Sequence, residues 1–292
     1  MKVGKLEIKH FKKTILATTM IIGTSVILFQ AFTQAVIAAE YSKKNIIPTT
    51  YANSTNQLSS TPTQSSLPEG YKKANYIIRN INLEYFKNQT PTSKDMTKEA
   101  AAEIGAQALW RIYGLNLEGQ VIEMGYHEPT DSIPRSRWYA DVLIDDELSY
   151  CFEVDSVTGD LFAVNHSRVL DVDIPVTFDS ALAQNPQEYV LLAKQTANNL
   201  NVVHSQVASV QYNCQGYSNN DPDITFDIKG ENGEVAQMTF SRYDQALLGI
   251  SYSVGYQYTL ETIKKIEQEM ESIDTQTQET SQPPSLLPIL EE

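Results

Sequence analysis

The sequence predicts an α+β fold in which one unit, a helix packed on an antiparallel sheet, occurs twice. The main observation is an internal repeat, because residues 140–164 align without a gap on residues 226–250, at an offset of 86. Apolar positions coincide in the two copies, and a helical pattern precedes each of them. Helices that precede groups of short alternating strands are typical of helices segregated to one face of an antiparallel sheet.

Composition and charge limit the class of protein. The chain has 292 residues, of which 41% are hydrophobic, and its 16 tyrosines suit half-exposed sheets. About 200 residues remain between the two terminal segments, enough for two small domains or one double module. The net charge of −14 would repel phosphate backbones, so we expect no nucleic-acid partner. Cations, basic peptides or the cationic face of another protein fit this charge, which would also keep an exported protein soluble.

The first 39 residues have the pattern of an export signal. Residues 1–13 contain five lysines, residues 14–39 carry no charged side chain, and Val36-x-Ala38 offers a cleavage site to a signal peptidase. The same segment is long enough to cross a bilayer as an uncleaved anchor, since about 20 apolar residues suffice. Both alternatives place residues 40–292 outside the cytoplasmic membrane. We therefore expect either a secreted protein or an outward-facing one with a single N-terminal anchor.

Two further segments are predicted to be disordered. Residues 40–70 form a linker rich in Ser, Thr, Asn and Gln, and residues 274–292 form a tail of low complexity. Between them, the repeat divides the chain into a first module, residues 71–170, and a second module, residues 171–273.

In the first module, residues 71–88 carry apolar side chains at helical spacing and are predicted to form a short helix. Thr97 is the N-cap candidate of the main helix, and Gly114 is its C-cap candidate. Residues 148–154 alternate between apolar and polar side chains, as expected of a strand with one buried face. Residues 157–160 are predicted to form the turn between the last two strands.

The second module repeats this order. Pro186 suits the first turn of a helix, and residues 231–234 have the composition of a hairpin turn. Residues 258–273 are predicted to form a closing amphipathic helix with Leu260, Ile263, Ile266 and Met270 facing the core. The connector, residues 165–185, is short, so we expect the two modules to pack against each other.

The first copy resembles the PepSY family. The matching residues are Thr97-Lys-Glu-Ala at the start of the helix and Tyr150-x-Phe152-x-Val154-Asp155-x-x-Thr158-Gly159 at the end of a strand. The family typically ends in a strand of the form v-D-x-x-T-G, followed by another strand. The resemblance covers about residues 97–165. In the second copy the turn reads Ser241-Arg-Tyr-Asp244-Gln245, so only the general pattern persists.

The resemblance implies two tandem modules with a cystatin-like fold, in which one helix lies across an antiparallel sheet. It also implies extracytoplasmic regulation, because related modules occur in propeptides of thermolysin-like proteases, in spore-germination proteins and in membrane-anchored regulators of Gram-positive bacteria. Inhibition or chaperoning of a peptidase is the role proposed for the family.

Six residues are candidate binding residues. Asp155, Thr158 and Gly159 form the family-like turn, which is either a recognition edge or a turn in which Asp155 caps the backbone and Gly159 supplies a positive φ. Trp138 is the best candidate for an exposed anchor, because Trp and Arg are enriched at binding hot spots and Arg135 and Arg137 shortly precede it. We therefore expect recognition in the first module and structural support from the second.

The sequence contains no recognisable catalytic or metal-binding signature. The histidines form no i, i+4 pair and no HExxH motif, and carboxylate pairs such as Asp221/Asp223 fall in predicted turns that match no calcium loop. Cys151 lies in mid-strand, where a substrate has poor access to its thiol. Cys151 and Cys214 are expected to be separate thiols, although one bridge between the modules stays open. We expect no metal, no cofactor and no enzymatic activity.

These observations favour a non-enzymatic binding or regulatory protein outside the cytoplasmic membrane, whose partner is an extracytoplasmic protein or peptide, for example a peptidase. A segment of the partner could add as a strand to an exposed sheet edge. The alternatives are a secreted hydrolase with two converging carboxylates and a structural protein of the cell envelope.

Overall fold

The computed structural model describes residues 67–279, except for Asp146, Asp173 and Val176. The predicted signal or anchor, most of the predicted linker and residues 280–292 lie outside the described residues. The strands are β1 (Ile77–Asn80), β2 (Val121–His127), β3 (Arg137–Ile144), β4 (Glu147–Asp155), β5 (Leu161–His166), β6 (Val207–Ser218), β7 (Asp221–Gly230), β8 (Val235–Ser241) and β9 (Leu247–Ser251). The helices are α1 (Glu84–Lys87), α2 (Lys98–Tyr113), α3 (Ser180–Gln184), α4 (Gln187–Leu200) and α5 (Ser253–Glu279).

All these strands belong to one sheet, in the order β1-β2-β3-β4-β5-β9-β8-β7-β6. β1 runs parallel to β2, and every other neighbouring pair is antiparallel. The predicted α+β class is therefore confirmed, but the two halves of the chain share a single sheet. The edges of that sheet are β1, with 4 residues, and β6, with 12 residues.

The offset of 86 that is visible in the sequence also relates β3, β4 and β5 to β7, β8 and β9. Phe152 pairs with Val164, and the equivalent Met238 pairs with Ile250. The β4–β5 and β8–β9 ladders even share an irregularity of register at equivalent positions. The two sets meet at their last strands, where Val164 lies opposite Ile250. Because these two residues are equivalent, an approximate two-fold axis passes between them.

One apolar core lies between the sheet and helices α2 and α4. The Thr97 side chain caps α2 by accepting a hydrogen bond from the Ala100 N–H, and Gly114 ends the helix in the left-handed conformation, as predicted. At Gly105 the ring of Phe152 approaches α2 so closely that a Cβ atom would collide with it. The core draws on both halves, and its largest fully buried side chains include Phe152, Phe226, Phe240, Leu109, Ile122 and Ile250.

Helix α5 packs on the opposite face of the sheet, against β5 and β8. The Tyr256 hydroxyl donates to Asp227 Oδ1 at 2.8 Å. Asp227 lies on that face because it alternates along β7 with the core residues Phe226 and Ile228. Among the described residues, neither α5 nor any other helix is both long enough and apolar enough to cross a membrane.

Two predicted elements differ from the structure. Residues 71–88 contain β1 and the short α1 instead of one helix, because the β1 backbone pairs with Val121–Met124, whereas a short helix alone is marginal. α5 begins before residue 258 and extends past residue 273 to Glu279. Its side chains that were expected to face the core are exposed or half-buried, since α5 covers the outer face of the sheet; they are Leu260, Ile263 and Ile266.

Candidate binding site

The predicted family-like turn joins β4 to β5 and is organised by Asp155. Asp155 Oδ1 accepts hydrogen bonds from the N–H groups of Val157 and Thr158, at 2.8 and 2.7 Å. The Gly159 N–H donates to the Asp155 carbonyl oxygen at 3.0 Å, and Gly159 has a φ of 81°, which favours glycine. The turn therefore has the structure that a D-x-x-T-G sequence predicts.

Arg135 completes this turn from the loop before β3. Its Nε lies 2.6 Å from Asp155 Oδ2, and its Nη2 donates to Thr158 Oγ1 at 3.3 Å. The Asp155 side chain is 2% exposed and that of Arg135 is 25% exposed. Both carboxylate oxygens of Asp155 are thus occupied within the protein, so the carboxylate stabilises the turn and has little left to offer a partner.

The other two candidate residues lie on β3 next to the turn, with Arg137 opposite Asp155, but their side chains have other partners. Trp138 is only 7% exposed, and its Nε1–H donates to the Met96 carbonyl oxygen at 3.0 Å. The expectation of an exposed Trp138 anchor is therefore wrong, because the alternation along β3 turns this ring into the core. Arg137 is buried as well, and its Nε donates to Glu153 Oε2 at 3.1 Å.

Asp95 forms a second cluster that the repeat does not reveal. Its Oδ1 accepts from the hydroxyls of Ser136 and Ser156, at 2.6 and 2.5 Å, and its Oδ2 accepts from the Tyr126 hydroxyl at 2.9 Å and from the Thr92 N–H at 2.7 Å. Burial raises the pKa of Asp95, but the hydrogen bonds outweigh burial and hold it well below its usual range. The Asp95 cluster fastens the loop before α2 to the ends of β3 and β4.

The second half keeps the shape of the turn with different residues. Ser241, at the position of Asp155, accepts from the Tyr243 N–H through its hydroxyl at 3.0 Å. The Gln245 N–H donates to the Ser241 carbonyl oxygen at 3.1 Å, and Gln245 has a φ of 63° where the first half has Gly159. Backbone geometry has therefore been retained although the D-x-x-T-G sequence has not.

The charges of the second turn are arranged differently. Asp221 stands at the position of Arg135 and accepts from the Ser241 hydroxyl at 2.6 Å. Arg168 donates from Nε to Asp221 Oδ2 at 2.7 Å and binds both oxygens of Asp244 at 2.9 and 2.7 Å. The bonds from Arg168 lower the pKa of Asp244 to about 2. These carboxylates hold the connector after β5 on the second turn.

A cleft opens in the second half where the first half has the Asp95 cluster. Ser136 and Ser156 correspond to Pro222 and Arg242, and in both pairs the second residue donates its N–H to the carbonyl oxygen of the first, at 3.1 and 2.7 Å. At the same offset along the sequence, residue 181 is Ala where residue 95 is Asp, but Ala181 lies in α3, whereas Asp95 lies in the loop before α2. The cleft has a volume of about 540 Å³ and is open to solvent; we call it the Arg242 cleft, and its wall includes Ile174, Pro175, Phe178, Leu182, Tyr189 and Pro222.

The guanidinium of Arg242 is held in place by two neutral groups. Nη1 donates to Gln215 Oε1 at 2.8 Å, and Nη2 donates to the Thr177 carbonyl oxygen at 2.9 Å. Its Nε is buried without a hydrogen-bond partner, and Arg242 forms no ion pair within the described part of the chain. Arg135, Arg137 and Arg168, in contrast, are each paired with a carboxylate.

The edge strand β6 is the second feature that distinguishes the two halves. β2 and β6 start at equivalent positions, and β1 covers the outer edge of β2, whereas no described strand pairs with the outer edge of β6. β6 reads VASVQYNCQGYS and carries no charged side chain. Near its end, the Gln215 side chain bonds both the N–H and the carbonyl oxygen of Asp179, each at 2.9 Å.

Burial determines the ionisation of two groups that were considered for catalysis, Cys151 and Asp223. Cys151 and Cys214 form no disulfide, and burial raises the pKa of the Cys151 thiol to about 11, so that it remains a thiol. Asp223 is buried, and burial raises its pKa to about 6. Across the described residues, no group of three or more His, Cys, Asp or Glu side chains is placed to hold a metal ion.

No family model matches the chain, and no curated protein matches it. Among solved structures, the chain is similar to the "Bacillus megaterium YpeB C-terminal domain", with 13% sequence identity and a TM-score of 0.32. The similarity covers 56% of this chain and 65% of that one, which is less than two thirds of its length.

Proposed function

We propose that this chain is a non-enzymatic binding protein that acts outside the cytoplasmic membrane and takes up a segment of a partner as an additional strand beside β6. The observation that carries the proposal is a difference between two equivalent strands: β1 pairs with the outer edge of β2, whereas no described strand pairs with the outer edge of β6. Helix α3 also contacts β6. Strand addition provides affinity through main-chain hydrogen bonds.

The composition of β6 supports this role. Proteins usually protect a long edge strand with charged side chains or proline, because an unprotected edge pairs with other chains. The 12 residues of β6 contain neither. Its two irregularities of register, after Val207 and after Tyr212, increase its twist but leave pairing with β7 along its whole length.

The first half also suggests the direction of the bound segment. β1 runs parallel to β2, from Ile77 opposite Val121 to Asn80 opposite Met124. A segment placed in the same way beside β6 would run from Val207 towards Gln215. Parallel addition of this kind is the arrangement that the approximate two-fold axis favours.

Within this proposal, the two halves are interpreted as two PepSY-like modules that follow an N-terminal signal or membrane anchor. The partner is then an extracytoplasmic protein, for example a peptidase whose activity the chain modulates. The proposal places recognition in the second half instead of at the Asp155 turn of the first, because the Asp155 carboxylate is occupied by Arg135 and by two backbone N–H groups.

Photo-cross-linking of the full chain tests the proposal. The exposed Gln211 of β6 is replaced by a photo-reactive amino acid, and the exposed Ile77 of β1, at the other edge of the sheet, is the matched control. We expect a discrete protein adduct from position 211 that is absent from position 77. Identical adducts from both positions, or no adduct from position 211 in cells that produce the protein, would contradict the proposal.

A further inference from the structure

We propose that the Arg242 cleft binds the free carboxyl terminus of the segment that lies along β6. The inference rests on the proposed function for the presence of that segment, and it adds that the segment ends at this cleft. The ligand is therefore an apolar peptide end that carries a terminal carboxylate.

The position of the cleft follows from the register of the sheet. Pro222, which lines the cleft, lies opposite Tyr217 near the end of β6. Gln215 of β6 itself holds the guanidinium of Arg242. A segment that runs parallel to β6 reaches this end of the strand with its carboxyl terminus, since β6 runs from Val207 to Ser218.

The charge of the cleft matches a carboxylate. Arg242 contributes a positive charge and forms no ion pair among the described residues. The buried Asp223 carboxylate is its acidic neighbour, close enough for Arg242 to lower the pKa of Asp223. A guanidinium has five N–H donors in a planar fork, of which Gln215 and Thr177 occupy two. These two bonds also fix the orientation of the fork, which reduces the entropy lost when a carboxylate binds.

The first half shows that the equivalent place accommodates a carboxylate. There the carboxylate of Asp95 lies against Ser136 and Ser156, the counterparts of Pro222 and Arg242. The second half has Ala181 at the same offset, and Asp179, the acidic residue on the described wall of the cleft, caps α3 by accepting from the Leu182 N–H. An external carboxylate beside Arg242 would take the role that Asp95 has in the first half.

The wall and the shape of the cleft indicate the rest of the ligand. Ile174, Pro175, Phe178 and Leu182 offer apolar contacts, and a volume of about 540 Å³ is within the ordinary range for ligand sites. The cleft is open to solvent, so a chain can leave it along β6. A peptide end fits this geometry better than a small acid, which would gain most from an enclosed cavity.

The test compares two forms of one peptide pool on the purified protein. A fluorescent hexapeptide pool with Val, Leu, Ile or Phe at its last three positions is prepared with a free carboxylate or with a terminal amide, and binding is measured by fluorescence anisotropy. We expect the free acids to bind at least tenfold more tightly than the amides. Arg242→Gln should abolish this difference, whereas Arg79→Gln, an exposed arginine of β1, should preserve it.

A second variant adds a carboxylate of the protein itself to the wall of the cleft. Ala181→Asp introduces a carboxylate on the wall of the cleft, which includes residue 181, and it should be tolerated because residue 181 is exposed and lies in the first turn of α3. We expect this variant to keep its thermal midpoint and to lose at least tenfold in affinity for the free-acid pool. Unchanged binding by both Ala181→Asp and Arg242→Gln would overturn the inference.

Three further outcomes would overturn the inference. Equal binding of acids and amides at β6 would overturn the carboxylate inference and leave strand addition intact, since strand addition needs only the backbone. Competition by octanoate as effective as that by the peptides would overturn the assignment to a peptide end. A free-acid pool that fails to bind at millimolar concentration would also overturn the inference, while cross-linking at Gln211 would still decide the proposed function.

Discussion

Val164 and Ile250 lie opposite each other in the β5–β9 ladder, and they are equivalent residues of the two halves. Their neighbours obey the same symmetry, because Ala163 pairs with Ser251 and Asn165 pairs with Gly249. The last strands of the two halves, β5 and β9, thus pair with each other, so neither of them is an edge strand. Each half also has an outer strand, β2 or β6. β1 pairs with the outer edge of β2, and no strand of the described residues pairs with the outer edge of β6.

Gly105→Ala should destabilise the protein by about 2 kcal/mol, because the added methyl group would collide with the ring of Phe152 in a fully packed core. The free energy of unfolding in guanidinium measures the effect. Phe152→Leu in the same chain should recover part of the loss. Purely additive effects of the two substitutions would show that the collision is not its cause.

Asp155→Ala should cost about 3 kcal/mol of unfolding free energy, because it removes two backbone caps and leaves the partly buried Arg135 without its ion pair. Asp160→Ala is the matched control, since Asp160 is more exposed and lies 3.8 Å from Arg135. It should cost well under 1 kcal/mol. Equal losses for the two variants would mean that Asp155 does not organise the turn.

Asp95 should make stability fall in acid. Its pKa is lowered in the folded protein, so its stabilising contribution is fully present above the ordinary value of 3.8 and is lost as the pH falls below it. At pH 6, Asp95→Asn should be less stable by about 2 kcal/mol. Denaturation curves from pH 6 to pH 2.5 should show this difference shrinking, and a constant difference would contradict the assignment.

Asp223 should have the opposite effect. Burial raises its pKa to about 6, despite the lowering effects of the Gly216 N–H and Arg242. Its neutral form therefore favours folding, and that stability is lost as the pH rises from about 4 through 6. Asp223→Asn should stabilise the protein by about 2 kcal/mol at pH 8 and have no effect at pH 4. A loss of stability at pH 8 would contradict this account.

The repeat, the helix caps and the period-two strands were sufficient to predict the class of the fold from the sequence. They could not predict that β5 and β9 join the halves into one sheet, because two short strands such as 161–166 and 247–251 carry no signal that identifies their neighbour. The strand β1 was also missed, since Ile77, Ile78 and Ile81 fit a helical spacing as well as a parallel edge.

The site was less predictable from the sequence than the fold. The D-x-x-T-G pattern predicted the turn at Asp155, and an uncharged run of 12 residues in a chain with 20% charged residues could have drawn attention to β6. In the cluster around Asp95, the hydrogen bond from Ser156 to Asp95 joins residues that are 61 positions apart. Arg242 became notable only when the fold showed that Gln215 and Thr177 hold it without a carboxylate.

Amide hydrogen exchange along β6 tests the central claim most directly. It is measured by mass spectrometry on the full chain, alone and with the partner captured at Gln211, and β1 serves as the internal reference. The account predicts slower exchange for residues 207–215 in the complex and unchanged exchange for Ile77–Asn80. Protection confined to other parts of the chain, with β6 exchanging as in the protein alone, would contradict it.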